Sequence, residues 1–161
     1  MTSEHGERSE ALGAFRCLLR QHRWAALATL GRGNPEVSWV AYVVRDALEK
    51  GIVLHLSRLA AHTRNFERCS RASLGVSEQE TAGSDPQLLA RLALIGSVSI
   101  IQPGSDDHEE ATQLYQSRLP DSVRLFSFAD FRLFHFQPIE ARFVAGFARA
   151  YTFSGFDLKR A

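Results

Sequence analysis

The spacing of apolar and polar positions changes several times along the chain, and each change marks an element. Ala11, Leu12, Phe15, Leu18 and Leu19 recur at helical spacing, which predicts an amphipathic helix from Ser9 to about His22. Its expected role is to cover one mouth of a barrel. Residues 1–8 are polar and are expected to be disordered. Trp24 to Leu30 is a continuous apolar run and reads as a strand. Gly31-Arg32-Gly33-Asn34 is a hairpin turn, because glycine and asparagine tolerate positive φ. Pro35 opens the next strand, where it need not donate a ladder bond.

That second strand is apolar on both faces. Val37, Trp39, Ala41 and Val43 share one side; Ser38, Val40, Tyr42 and Val44 share the other. Both sides then need cover, by core on one and by a ligand or a second subunit on the other. Val40, Tyr42 and Val44 are expected to be the outward set. Ile52–Leu56 is a third strand, Ala60–Arg68 a short helix and Ala72–Ser77 a fourth strand. A polar loop follows, from Glu78 to Pro86, then one helical turn from Gln87 to Ala90. Arg91–Gln102 is a long strand in which Gly96 suggests a bulge or a close backbone approach. Asp106–Leu119 is a helix. Asp130–Gln137 alternates strongly, Pro138-Ile139-Glu140 is expected to turn the chain, and Ala141–Ala145 to return as the hairpin partner. Gly146–Phe153 then carries Phe147, Tyr151 and Phe153, read as core filling or as a wall against a flat heteroaromatic ligand.

Length and charge narrow the class. The 161 residues suffice for one domain with a real core, taken as residues 9–161. A net charge of +1 gives no bulk attraction to nucleic acid or to a membrane surface. No apolar run is long enough to span a bilayer, and the polar N-terminus does not read as a secretory signal. Cys17 and Cys69 have neither metal-type spacing nor a disulfide framework, so a cytoplasmic, reducing setting is expected. Asp106, Asp107, Glu109 and Glu110 surround His108, but they are first-turn positions favoured by the helix dipole, and no metal is expected there.

The densest candidate chemistry lies at the junction after the third strand. Ser57, Arg58, His62, Thr63, Arg64 and Asn65 crowd a strand-to-helix step. Hydroxyls, a guanidinium and free helix N–H groups suit a phosphate; a capped surface helix with solvated charges is the plainer alternative. The residues alone leave both open.

Four segments together carry a resemblance: ATLGRGNPEVSWVAYV, LHLSRLAAHTRNFERCSRASLGV, RLALIGSVSII and FRLFHFQPIEARFVAGFARAY. They look like the pyridoxamine 5′-phosphate oxidase-like split barrels that bind FMN, and most resemble the subgroup that includes the haem-utilisation proteins. The likeness runs from about Trp24 to Phe153. It implies a mainly β fold with flanking helices, an antiparallel split β-barrel, and a homodimer with two FMN sites at the subunit interface. It further implies that Ser38, Trp39 and Val40 run beside the isoalloxazine. Ser57, Arg58, His62 and Thr63 would hold the phosphate and ribityl chain, and Phe147 and Arg149 would approach from the later hairpin, in one subunit or its partner.

Departures from that pattern limit the activity. Ser38 stands where the vitamin B6 oxidases carry arginine, their Arg-Lys pair falls on Ala61 and His62, and no arginine-rich segment precedes Ala161. The tail TFSGFDLKRA lacks the histidine that haem-degrading members use as an axial ligand. The first expectation is therefore an FMN-binding flavoprotein acting as an oxidoreductase on an unassigned substrate and electron donor. The second is haem binding or degradation through His55, His62 or His135, and the third a non-catalytic flavin-binding module.

Overall fold

The computed structural model describes residues 2–146 and 149–159, without the side chains of residues 2–4 and 156. Its elements are α1 (Thr2–Gln21), β1 (Trp24–Gly31), β2 (Asn34–Val44), β3 (Ile52–Ser57), α2 (Ala61–Phe66), β4 (Arg71–Ser77), β5 (Arg91–Ile100), α3 (Asp106–Arg118), β6 (Phe131–Val144), β7 (Ala150–Ser154) and α4 (Gly155–Leu158). A 3-10 segment, Pro120–Ser127, links α3 to β6. The strands run in the order β3-β2-β1-β4-β5-β6-β7, and β3 also pairs with β6, which closes an antiparallel barrel. The split lies beside β2. Its Tyr42, Val43 and Val44 pair with β3, whereas residues 34–41 pair with β1 alone, and β3 continues along β6 to Ser57.

The first helix starts at Thr2, so helix replaces the disorder expected of residues 2–8, and residue 1 lies outside the described residues: Arg8 donates to Asp157 Oδ2 and to the Thr152 carbonyl, both at 2.9 Å. Phe15, Leu18 and Leu19 plug the barrel mouth as anticipated. Phe15 meets the rings of Phe143 and Phe153, and the Tyr42 hydroxyl donates to the Leu19 carbonyl at 2.7 Å.

The two faces of β2 are the reverse of the expectation. Val40 and Tyr42 point into the core, and Val44 packs against it. The outward set is Val37 (65% exposed) and Trp39 (62%) with Ala41. Alternation reveals parity but not which parity faces inward; the bond from Tyr42 to α1 decides it. Val43 also points outward, but under α3.

Around Pro138 the chain does not turn. β6 is one strand of 14 residues, which pairs with β3 in its first half and with β7 in its second. The register with β5 slips between Ile95↔Glu140 and Gly96↔Pro138, leaving Ile139 as the extra residue. Proline has no N–H to lose, so a bulge accommodates it. Gly96, flagged as a bulge or close approach, faces this point: a Cβ on it would lie 2.2 Å from the Gln137 carbonyl oxygen. Gly75 on β4 would meet nothing closer than 3.8 Å. Gly96→Ala is therefore expected to cost about 1–3 kcal/mol in urea unfolding, as overpacking does, while Gly75→Ala stays near the parent.

Candidate functional site

The barrel closure brings the ends of β3 and β6 together, and the candidate site forms at that rim. The Arg58 amide donates to the Asp130 carbonyl at 2.8 Å, and the Ser57 hydroxyl donates to the Asp130 carboxylate. Thr63 Oγ1 donates to the Ser57 carbonyl at 2.7 Å, folding α2 back on the strand end. Ser57 and Thr63 thus spend their hydroxyl protons on the scaffold. The helix has six residues and no side-chain cap at Ala60, so its dipole adds little. Fixed cations carry the charge of the site.

They come from two strands. Arg58 follows β3; Arg132 lies on β6, paired with Leu56. Arg132 Nη1 donates to the carbonyls of Ala129 (2.7 Å) and Phe131 (2.6 Å), which fixes its guanidinium at the rim. Both arginines line a cavity of about 280 Å³ with Thr63 and Phe66 of α2, Glu67 just beyond it, Val98, Ser99 and Ile100 of β5, and Phe134 of β6. Phe66 and Phe134 contact each other, ring centroids 5.9 Å apart. Two guanidinium groups and one carboxylate beside an apolar wall suit an anionic group on a flat apolar body.

The other anticipated residues scatter. His62 is half-buried on α2, with its ring 6.5 Å from Phe66 and its Nε2 buried without a partner. Ser38 is half-buried on the inward side of β2 and Val40 lies in the core; neither lines the cavity. Trp39 is outside the barrel, stacked on Trp24 with centroids 6.3 Å apart. Arg149 sits beside Glu7 and Glu10 of α1, and Phe147 lies outside the described residues. Arg132, Phe66, Ser99 and Phe134 were absent from the sequence-based set.

Of the remaining histidines, His55 points out of the barrel beneath α3 and the 120–127 segment. It is 7% exposed, stacked on Phe126 at 3.9 Å, and edge-on to Tyr115 at 5.6 Å. Burial, and secondarily the charge of His108, lowers its pKa to about 4; burial pushes the Tyr115 hydroxyl up to about 12. His135 is pressed against Gly51, whose absent Cβ leaves room for its Nε2. Burial first, then Arg45, lowers its pKa. Neither ring opens on the cavity. Asp107 and Glu110 of the acidic cluster pair with the buried Arg45, at 2.6 and 3.4 Å, and anchor α3.

A family model described as "CREG, beta-barrel" matches residues 7–153. The chain belongs to that family. It is 29% identical to the haem oxygenase HutZ of Vibrio cholerae over 141 residues, 86% of this chain and 78% of that protein. Among solved structures it is similar to a haem-binding protein from Mycobacterium smegmatis (TM-score 0.83, 26% identity, 94% of this chain); the match spans only 60% of that longer chain. A Clostridium acetobutylicum protein of the pyridoxinephosphate oxidase family shares the fold, with a TM-score of 0.69 at 15% identity over 92% of this chain and 97% of that one. This CREG beta-barrel is thus a split barrel of the type its four segments resembled.

The neutral burial of His55 sets a pH dependence. Its folded pKa of about 4 lies below the usual 6.5, so the unfolded chain binds the extra proton between those values. Stability is then full above pH 6.5 and falls as pH drops toward 4, by no more than about 3 kcal/mol for this residue. Denaturant unfolding at pH 7.5 and pH 5 is expected to show that loss, and His55→Phe to reduce it, leaving the part due to His62 and His135.

Proposed function

We propose that this protein binds haem at the Arg58–Arg132 cavity, through the porphyrin's two carboxylates. The carrying observation is the guanidinium pair set against Phe66 and Phe134 at the barrel rim. The two relatives named for haem, at 29% and 26% identity, support the choice of ligand. A cavity of about 280 Å³ would take the carboxylate-bearing edge of a porphyrin rather than the whole macrocycle. None of the three histidines considered lines the cavity; His62 is taken as the iron candidate because it precedes Thr63 on α2, the helix that walls the cavity. Burial lowers its pKa, which keeps it neutral, and its Nε2 is unpartnered. Bound haem supplies redox-active iron that can take dioxygen. The chain's own part is to hold the carboxylates, exclude water with Val98, Ile100 and the two phenylalanines, and offer His62.

FMN is the second reading. The same guanidinium pair suits a phosphate dianion, and an aromatic wall suits a flavin; oxidoreductase chemistry, a non-catalytic flavin role and a cytoplasmic location go with it. Among the described residues no helix is long and apolar enough to cross a membrane. Titration of the purified chain separates the two. Haemin should give a Soret band that shifts in His62→Ala, and Arg58→Ala and Arg132→Ala should each weaken binding roughly tenfold or more, the loss of one charge-assisted contact. FMN binding tighter than haemin, with no Soret shift in His62→Ala, would replace haem by FMN.

We also propose a homodimer through the outer face of β2, β1 and β4. Trp24, Trp39 and Val37 stand exposed there over a flat floor of Ala26, Ala28 and Gly75. An apolar surface of this kind is uncommon on a monomer. Light scattering should give twice the chain mass of 18.0 kDa for the parent and a single chain for Trp39→Glu.

A further inference from the structure

The side of α2 turned away from Arg58 carries a second group of charges. Arg64 on α2 and Arg68 in the turn that follows it, with Arg32, Glu36 and Asn65, line a separate cavity of about 290 Å³. Arg64 is held in place by a bond from Nη1 to the Leu59 carbonyl. Arg32, Arg64 and Arg68 form no ion pair among the described residues. The one acid present is already engaged: Glu36 Oε2 accepts from Asn65 Nδ2 at 2.9 Å, and Oε1 fills the space a Gly31 Cβ would occupy.

An independent observation concerns the backbone. Arg32 has φ +49, the only positive value outside glycine among the described residues. It is the first of two residues in the turn between β1 and β2, whose last ladder pair is Gly31↔Asn34. Such turns favour asparagine, aspartate or glycine at that place, and an arginine pays a steric penalty there. Backbone strain of this sort gathers where a side chain is needed. Here it directs a cation into a cavity that already holds two others.

We propose that Arg32, Arg64 and Arg68 bind a diphosphate group, at a site separate from the Arg58–Arg132 cavity. Three guanidinium groups lining one cavity favour a ligand with several oxygens and more than one negative charge. A diphosphate supplies more of both than orthophosphate does. No aromatic side chain lines the cavity, so nothing stacks on a nucleobase. Inorganic pyrophosphate and the diphosphate of ADP are therefore recognised alike.

Calorimetric titration of the full chain at low ionic strength, without magnesium, tests this. Pyrophosphate and ADP should each bind once per chain with affinities within a few-fold, and orthophosphate at least tenfold more weakly. Arg32→Asn and Arg68→Gln should each weaken pyrophosphate tenfold or more. Asparagine suits positive φ, so Arg32→Asn should melt no lower than the parent, which separates lost binding from lost folding. Absence of saturable pyrophosphate binding, or unchanged binding by Arg32→Asn, would overturn the proposal. Tight ADP binding without pyrophosphate binding would overturn it too, since recognition would then lie with the nucleoside. Because the Arg58–Arg132 pair also suits a phosphate, pyrophosphate heat counts for this site only as far as Arg32→Asn and Arg68→Gln remove it, whatever haem does at the other cavity.

Discussion

The pairing of β3 with β6 is the constraint on which the rest of the molecule depends. It runs from Ile52↔Phe136 to Ser57↔Phe131 and turns an open sheet into a barrel. Closure removes two sheet edges, which would otherwise present unpaired backbone groups. It also fixes the candidate site, because the strand ends that carry Arg58 and Arg132 can meet only if that register holds. Asp130 locks the junction, taking the Ser57 hydroxyl on its carboxylate and the Arg58 amide on its carbonyl. The site is thus a by-product of how the barrel closes, with its cations on rigid strand ends.

The same closure buries β3 on both faces. Ile52, Leu54 and Leu56 join the interior, while Val53 and His55 face outward and need a cover. α3 and the 120–127 segment supply it through Ala111, Tyr115 and Phe126, and the Arg45 pair with Asp107 and Glu110 holds α3 in place. A polar ring in an apolar setting is tolerated only uncharged, so His55 makes this cover acid-sensitive. Ser57, which bonds Asp130, lies two residues beyond His55 on the same strand. Loosening of the outer layer at low pH would therefore reach the residues that position Arg58.

The elements were largely legible in the sequence because period, turn residues and length agree there. Where they failed, a long-range partner decided. Parity along β2 was correct, but its inward side is chosen by the bond from Tyr42 to α1, which no local pattern contains. Pro138 read as a turn because proline breaks ladders; it became a bulge because β3 and then β7 pair along the same strand. Arg58 was legible as a candidate from its place after β3, and it lines the candidate cavity. Arg132 left a signal that was missed: it shares parity with Phe134 and Phe136, both buried, and an arginine on a core-facing parity must end at a rim or in a cavity. Ser57 and Thr63 were identified as ligand hydroxyls for sound chemical reasons, but the scaffold had already claimed their protons.

The short helix α2 gains its importance from this geometry. Six residues have little helical stability of their own, so contacts from the barrel must hold them. Asn65 does so from within, donating to Thr29 Oγ1 and to Glu36 Oε2, both at 2.9 Å, and thereby ties the helix to β1 and β2 at once. On one side Thr63, Phe66 and Glu67 then close the cavity of Arg58 and Arg132; on the other Arg64 and Arg68 meet Arg32. The helical repeat alone sorts these residues to opposite sides, since positions three and four apart share a face. A single buried amide thus ties to β1 and β2 the helix that walls both cationic cavities.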